Sequence, residues 1–260
     1  MCSFVGTVNT GAFDNLLHLS SIARSENIWL HVDGAFGSLV VLNPERRQLV
    51  SGIDQADSLA FDFHKWLHCP YDAGCVLIRD VTHLQSTFSV DQNYLDVTDR
   101  GCSTDKPWFC DFGPELSRPF RALKIWSTLK EHGTVKLGEK IGENCQQAQY
   151  LVSLLEKHDD IIRIIRPITL NIVNFRFEPN ELGNVGAETL DIFNDELVAD
   201  IQVSGIAVPS TTRIQQRLYI RVAIVSHRST LDDFDIFIKT LLNLYQIRLK
   251  SFIKNKKLDE

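Results

Sequence analysis

Lys65 and Asp33 are the residues whose types and settings point to chemistry. Lys65 stands in Phe61-Asp62-Phe63-His64-Lys65-Trp66, directly after a stretch that reads as a strand. A surface lysine seldom sits between a histidine and a tryptophan. A buried lysine is easily made neutral, and a neutral amine can condense with an aldehyde. Asp33 follows the apolar run Ile28-Trp29-Leu30-His31-Val32. Both residues therefore fall at or just past a strand's carboxyl end, where open parallel sheets bind ligands. An aspartate and a lysine in one crevice have two readings. One is a buried ion pair. The other is a pyridoxal phosphate site, with the lysine bonded to the cofactor aldehyde and the aspartate paired to the pyridinium nitrogen. Spacing alone leaves both open.

The elements that must position these residues alternate. Ser3 to Thr10 reads as a short strand and loop, and Asn15 to Ser25 as a helix with Leu16, Leu19 and Ile22 on one face and Asp14 as N-cap. Ile28–Val32 does not alternate, which suggests a strand covered on both sides, as in a parallel sheet. Gln55–Phe61 and Gly74–Ile78 are further strand candidates. Strand, helix and strand at this rhythm argue for an α/β fold. Residues 80–114 read as a long loop. Leu116, Phe120, Leu123, Trp126 and Leu129 then recur at helical spacing, with Ser117 as cap and Gly133 as stop. A second helix covers Val135 to Lys157. Beyond it, Ile161–Ile165, Asn171–Phe177 and Leu218–Ala223 read as strands and Leu190–Ser204 as a helix. The last helix carries Phe234, Phe237, Leu241 and Tyr245 on one face behind a Thr230–Asp233 capping box. A boundary near residue 123 divides the chain into 1–123, part of a large α/β domain, and 124–260, a small α+β domain.

The wording of three segments narrows the choice. His31-Val32-Asp33-Gly34-Ala35-Phe36-Gly37, Phe61 to Trp66, and Gly6 to Asp14 ("GTVNTGAFD") resemble the group II pyridoxal-phosphate-dependent amino acid decarboxylases. That family includes aromatic amino acid, histidine and glutamate decarboxylases. The likeness continues through Tyr94-Leu95, Ser117 to Trp126 ("SRPFRALKIW") and Leu218 to Ile224 ("LYIRVAI"), followed by "HRST". It implies the aspartate aminotransferase fold, type I, with an incomplete large domain and a small C-terminal domain.

The resemblance also implies roles, residue by residue. Lys65 matches the lysine bonded to pyridoxal 5′-phosphate. Asp33 matches the carboxylate that keeps the ring nitrogen protonated, so that electrons drain from the substrate α-carbon when CO2 departs. His64 matches a residue near the cofactor phosphate, and Ala35 is small enough to pack on the flat ring. Asp62 stands where relatives often carry asparagine, which can donate to phosphate; an ionised aspartate cannot. Tyr94 matches the acid that returns a proton to the α-carbon, on a loop that excludes water. Replacement of that tyrosine in relatives goes with aldehyde formation, so its presence favours simple decarboxylation over aldehyde-forming or aminotransfer chemistry. Arg221 matches an arginine near the substrate carboxylate. Cys69 to Gly74 ("CPYDAG") lines the entrance.

In the family a long segment precedes the part resembled here, supplying phosphate-cradling residues, a group stacked on the ring and an arm used in the homodimer. Gly6, Gly11, Gly34 and Gly37 form no GxGxxG or P-loop pattern in its place. The expectation is a C-terminal part that alone binds the cofactor poorly and is inactive, and that joined to its upstream half is a homodimeric decarboxylase. A remnant is the alternative.

Composition sets the remaining bounds. The 260 residues carry a net charge of −6, with a basic run only at Arg248 to Lys257, so no nucleic-acid partner is expected and that run reads as a frayed, solvated end. No apolar run suggests a membrane helix. Six cysteines without a CxxC pair fit reduced thiols in a cytoplasmic protein, and no metal site is expected from His64, His68, Cys69 and Cys75.

Overall fold

The computed structural model describes residues 1–89, 108–183 and 185–259, with side chains to Lys254. The chain forms two compact units, one of Met1–Val5, Asp14–Val41 and Arg47–Val135, the other of Gly6–Phe13, Leu42–Arg46 and Lys136–Glu260.

The first unit is built on a four-stranded sheet of β1 (Cys2–Phe4), β2 (His31–Asp33), β3 (Ser58–Asp62) and β4 (Gly74–Ile78), in that order. β1, β2 and β3 are parallel, with Phe4, Asp33 and Ala60 in register. β4 runs antiparallel to β3, so the sheet is mixed rather than wholly parallel. As an edge strand it leaves Val76 and Leu77 exposed. The strand expected over Ile28–Val32 pairs only from His31, because β1 offers three residues; Ile28 and Trp29 stay exposed.

α1 (Leu16–Ser25) follows β1. Its N-cap is Asn15, which accepts from the His18 amide at 3.1 Å, not Asp14. Asp14 accepts instead from the Phe4 amide at 2.8 Å and ties the helix entry to β1. A four-residue helix, α2 (Phe63–Trp66), leaves β3 and is anchored by Trp66, which is 1 % exposed and packs edge-on to Phe36 at 5.5 Å.

The stretch expected as one long loop contains α3 (Val81–Phe88), capped by Asp80, whose carboxylate takes the Thr82 amide at 2.9 Å. The next helix, α4 (Arg121–Leu155), starts later than Ser117. Pro119 disfavours helical geometry at the residue before it, which delays the start. Gly133 adopts φ 72° and breaks the helical path, as the stop signal requires, and a second helical run continues to Leu155. Residue 123 and the change of unit at 135–136 both fall within α4.

The second unit holds an antiparallel sheet of β5 (Ile162–Ile164), β6 (Ile172–Phe177), β7 (Ser210–Ile214) and β8 (Arg217–Ala223), in the order β5-β6-β8-β7. Its core joins Leu151 and Leu155 of α4 to Phe175, Phe177 and Ile220 of the sheet, Phe193 and Leu197 of α5 (Ala187–Val203), and Leu241 and Tyr245 of α6 (Leu231–Asp259). The Thr230 amide donates to Asp233 at 2.7 Å, completing half of the expected capping box. β7 was not legible in the sequence because its hairpin turns on Gln215 and Gln216, both at positive φ, rather than on the usual Asn-Gly. The basic end is helical to Asp259 rather than frayed, and Arg248 is fixed to Asp200 through Nη2 at 2.7 Å and to Glu196.

Candidate active site

The parallel strands deliver Asp33 and Asp62 to the same end of the sheet, as the last residues of β2 and β3. Register also fixes the face. Asp33 pairs with Ala60, and residues two apart on a strand share a face, so Asp33, Ala60 and Asp62 point the same way. His31 and Ser58, one pair earlier on that face, meet at 2.7 Å. Lys65 is exposed rather than buried, and its Nζ lies 2.8 Å from Asp62 Oδ2. The amine of Lys65 and the carboxylate of Asp33 therefore share one face at the carboxyl ends of adjacent parallel strands.

The turn after Asp33 explains the motif around it. A side chain at Gly34 would bring Cβ within 2.6 Å of Ser38 Cβ and 2.9 Å of Val5, so only glycine fits. Ser38 donates to the Gly34 carbonyl, and the Ala35 amide donates to Asp33 Oδ1 at 3.1 Å. Oδ2 of Asp33 has no hydrogen-bond partner among the described residues. The Asp62 amide donates to the Ala35 carbonyl at 3.0 Å, locking this turn to the end of β3.

His64 is fixed as firmly. The Ala73 amide donates to its Nδ1 at 3.0 Å, so the ring proton belongs on Nε2, which lies 3.9 Å from Asp62 Oδ2. The exposed ring of Tyr71 covers it at 4.0 Å. Sequence reasoning missed how the Cys69–Gly74 segment is held. Arg121 donates to Asp72 at 3.0 Å and to Glu115 at 3.2 Å, and Lys124 lies 3.8 Å from Asp72. The Asp72 backbone amide and Arg121 hold the Asp72 carboxyl below its usual range. An ion pair across so long a sequence separation leaves no local signal.

Arg221 belongs to the other unit. Its Nε donates to the Val8 carbonyl at 2.9 Å and its Nη1 to Ser210 at 3.3 Å. Asn174, its partner on β6, donates to the Asn9 carbonyl at 2.8 Å. Together they hold the Gly6–Phe13 segment, one of the three motif segments. Asn174 and Ser210 carried no sequence signal as members of this group. No carboxylate lies within ion-pair distance of Arg221 among the described residues, and burial lowers its affinity for its proton. It lines a cleft of about 600 Å³ with Pro209, Ser210, Asp233 and Phe237. Tyr94 lies outside the described residues. Among the described residues no group of three or more His, Cys, Asp or Glu side chains could hold a metal ion, and no helix is long and apolar enough to cross a membrane.

A lysine amine, a carboxylate with an unused oxygen and a small residue beside them make a set that fits a pyridine ring bearing an aldehyde. The pyridoxal-dependent decarboxylase conserved domain matches residues 1–178. The aromatic-L-amino-acid decarboxylase of Bacillus atrophaeus is 36% identical over 228 residues, 88% of this chain and 47% of that protein. The histidine decarboxylase of Rattus norvegicus is 33% identical over 236 residues, 90% of this chain and 33% of that protein. The crystal structure of Oryza sativa TDC with PLP and tryptamine superposes with a TM-score of 0.82 at 25% identity, covering 96% of this chain and 50% of that one. The fold is thus that of the type I pyridoxal-phosphate enzymes. The chain belongs to the pyridoxal-dependent decarboxylase family, and it spans about half the length, or less, of the curated relatives it matches.

Proposed function

We propose that this chain contributes the lysine and pyridine-binding elements of a carboxy-lyase that converts an L-amino acid to its amine and CO2. The observation that carries the reading is Lys65 and Asp33 on one face at adjacent strand ends. Pyridoxal phosphate, when bound, supplies the electron sink that lets CO2 leave the substrate α-carbon.

The chain's own residues do the rest. Asp33 Oδ2 would accept a hydrogen bond from the ring N–H and so keep the ring nitrogen protonated. Lys65 would hold the cofactor aldehyde through its amine, and Asp62, 2.8 Å away, holds that amine until the aldehyde arrives. Ala35 would leave room beside the ring, and the His64 Nε2–H would be a donor available to the phosphate. Arg221, without a carboxylate partner, takes the substrate carboxylate. Tyr94 delivers the proton to the α-carbon. Its phenol suits that task because a carbanion is a strong enough base to take a proton from a group of pKa about 10.

The assembled enzyme is proposed to be a cytoplasmic homodimer. Leu116, Phe120, Leu123 and Trp126 present apolar surface on the first unit, each more than half exposed. Such surface marks an interaction site. The cysteines among the described residues are free, which fits a reducing compartment.

The test is CO2 release from a panel of labelled L-amino acids by the full-length gene product, beside its Lys65→Ala and Asp33→Ala variants. The reading requires activity that both substitutions abolish. Release of CO2 that survives Lys65→Ala would overturn it.

A further inference from the structure

The second unit contains a cleft of about 470 Å³ that the proposed reaction does not use. Arg163, Arg176, Glu178, Asn180, Ala187 and Arg217 line it. Arg163 and Arg176 are directly opposed across the β5–β6 pair and so share a face. Arg176 is 1 % exposed. Its guanidinium lies over the Tyr219 ring at 5.5 Å, and its Nη1 donates to Asp191 at 3.1 Å. Its Nε is 3.2 Å from Glu178 Oε1 but has no hydrogen-bonding geometry to any acceptor among the described residues. Arg163 Nε lies 3.8 Å from the other oxygen of Glu178. Three guanidinium groups thus line the cleft with one carboxylate, Glu178, which two of them, Arg163 and Arg176, share. Behind them, Asp191 is divided between Arg176 and Arg213.

The wall adds a further feature. Ala187 opens α5, whose N-cap, Gly186, has no side chain to accept the first-turn amides. Those amides and the helix dipole favour an anion. Burying an arginine with incomplete compensation is costly, and an anion in the cleft lowers that cost. The volume suits a small ligand rather than a macromolecule.

We propose that this cleft binds a small phosphorylated molecule, with its phosphate held by Arg163, Arg176 and Arg217. Planar guanidinium groups pair with phosphate oxygens through two parallel hydrogen bonds, which selects phosphate over a lone chloride. None of the residues proposed to hold the cofactor or the substrate lines this cleft.

Titration calorimetry with inorganic pyrophosphate on the full chain tests the assignment. Three proteins are compared: wild type, Lys65→Ala, and the double variant Arg163→Gln with Arg217→Gln. Both arginines reach solvent, so their loss leaves the core in place. Wild type and Lys65→Ala bind one pyrophosphate alike, and the double variant binds at least about tenfold more weakly, the loss of a charge-assisted hydrogen bond or more. Absence of binding by wild type overturns the proposal, as does equal binding by the double variant or loss of binding in Lys65→Ala. Should the double variant melt early, Arg217→Glu at the exposed rim carries the same comparison.

Discussion

Replacing Asp62 by asparagine puts the proposed control of Lys65 under direct test. The Lys65–Asp62 pair spans 2.8 Å, with the two side chains 39% and 24% exposed. At that distance Coulomb attraction in bulk water is about 1.5 kcal/mol. Measured net values for solvent-reached pairs are lower, about 0.2–1 kcal/mol, once side-chain ordering is subtracted. The amine must leave that contact to reach an aldehyde. Removing the attraction raises the population free to do so by about 1.4- to 5-fold. The asparagine amide also brings donors that a carboxylate lacks, so the cofactor phosphate is held better and the two effects have the same sign. Asp62→Asn should therefore capture pyridoxal phosphate about 1.5- to 5-fold faster at neutral pH, followed by the absorbance change on mixing in a stopped-flow instrument. Added salt should speed capture by the wild type, because screening weakens the pair, and should leave the variant nearly unchanged. Slower capture by the variant, or the same salt dependence in both proteins, would refute the reasoning.

Further outcomes follow from packing and charge. Trp66→Ala removes the buried anchor of α2 and should cost about 3–5 kcal/mol of stability, read as an earlier denaturant midpoint, with weaker cofactor capture as Lys65 loses its fixed position. Gly34→Ala sets a methyl 2.6 Å from Ser38 Cβ and should lower the melting temperature markedly, whereas Gly186→Ala, with open space around it, should not. Asp191 gives a pH signature. Burial raises its carboxyl, but the Leu218 amide, Arg213 and Arg176 outweigh this and hold it below the ordinary value. Its stabilisation is thus complete above the unfolded carboxylate value of about 3.9 and is lost as pH falls through the lower folded value. Asp191→Asn should flatten that acid limb in pH-dependent unfolding, and an unchanged limb would count against the assignment.

Much of this was legible in the sequence because it rests on local patterns. Helical spacing located α1, α4, α5 and α6, and apolar runs located β3, β4, β6 and β8. That Asp33 lies at one strand end and Lys65 just past the next was legible because an apolar run precedes each. What escaped depends on partners far along the chain. The antiparallel sense of β4 is set by its partner, not by its residues. Asp14 lost the cap to Asn15 because Phe4 and Ser3 draw its carboxylate away. Leu116 and Phe120 keep helical spacing, yet Pro119 moves the helix start to Arg121. The Asn174–Arg221 grip on Gly6–Phe13 joins residues at opposite ends of the sequence, which no local pattern records.

Borohydride reduction in the presence of pyridoxal phosphate, followed by peptide mapping by mass spectrometry, tests the central claim most directly. On the full-length gene product the account predicts a single pyridoxyl-modified peptide, the one containing Lys65, diminished in Asp33→Ala and absent from Lys65→Ala. Modification centred on another lysine, or undiminished incorporation in Lys65→Ala, would contradict it.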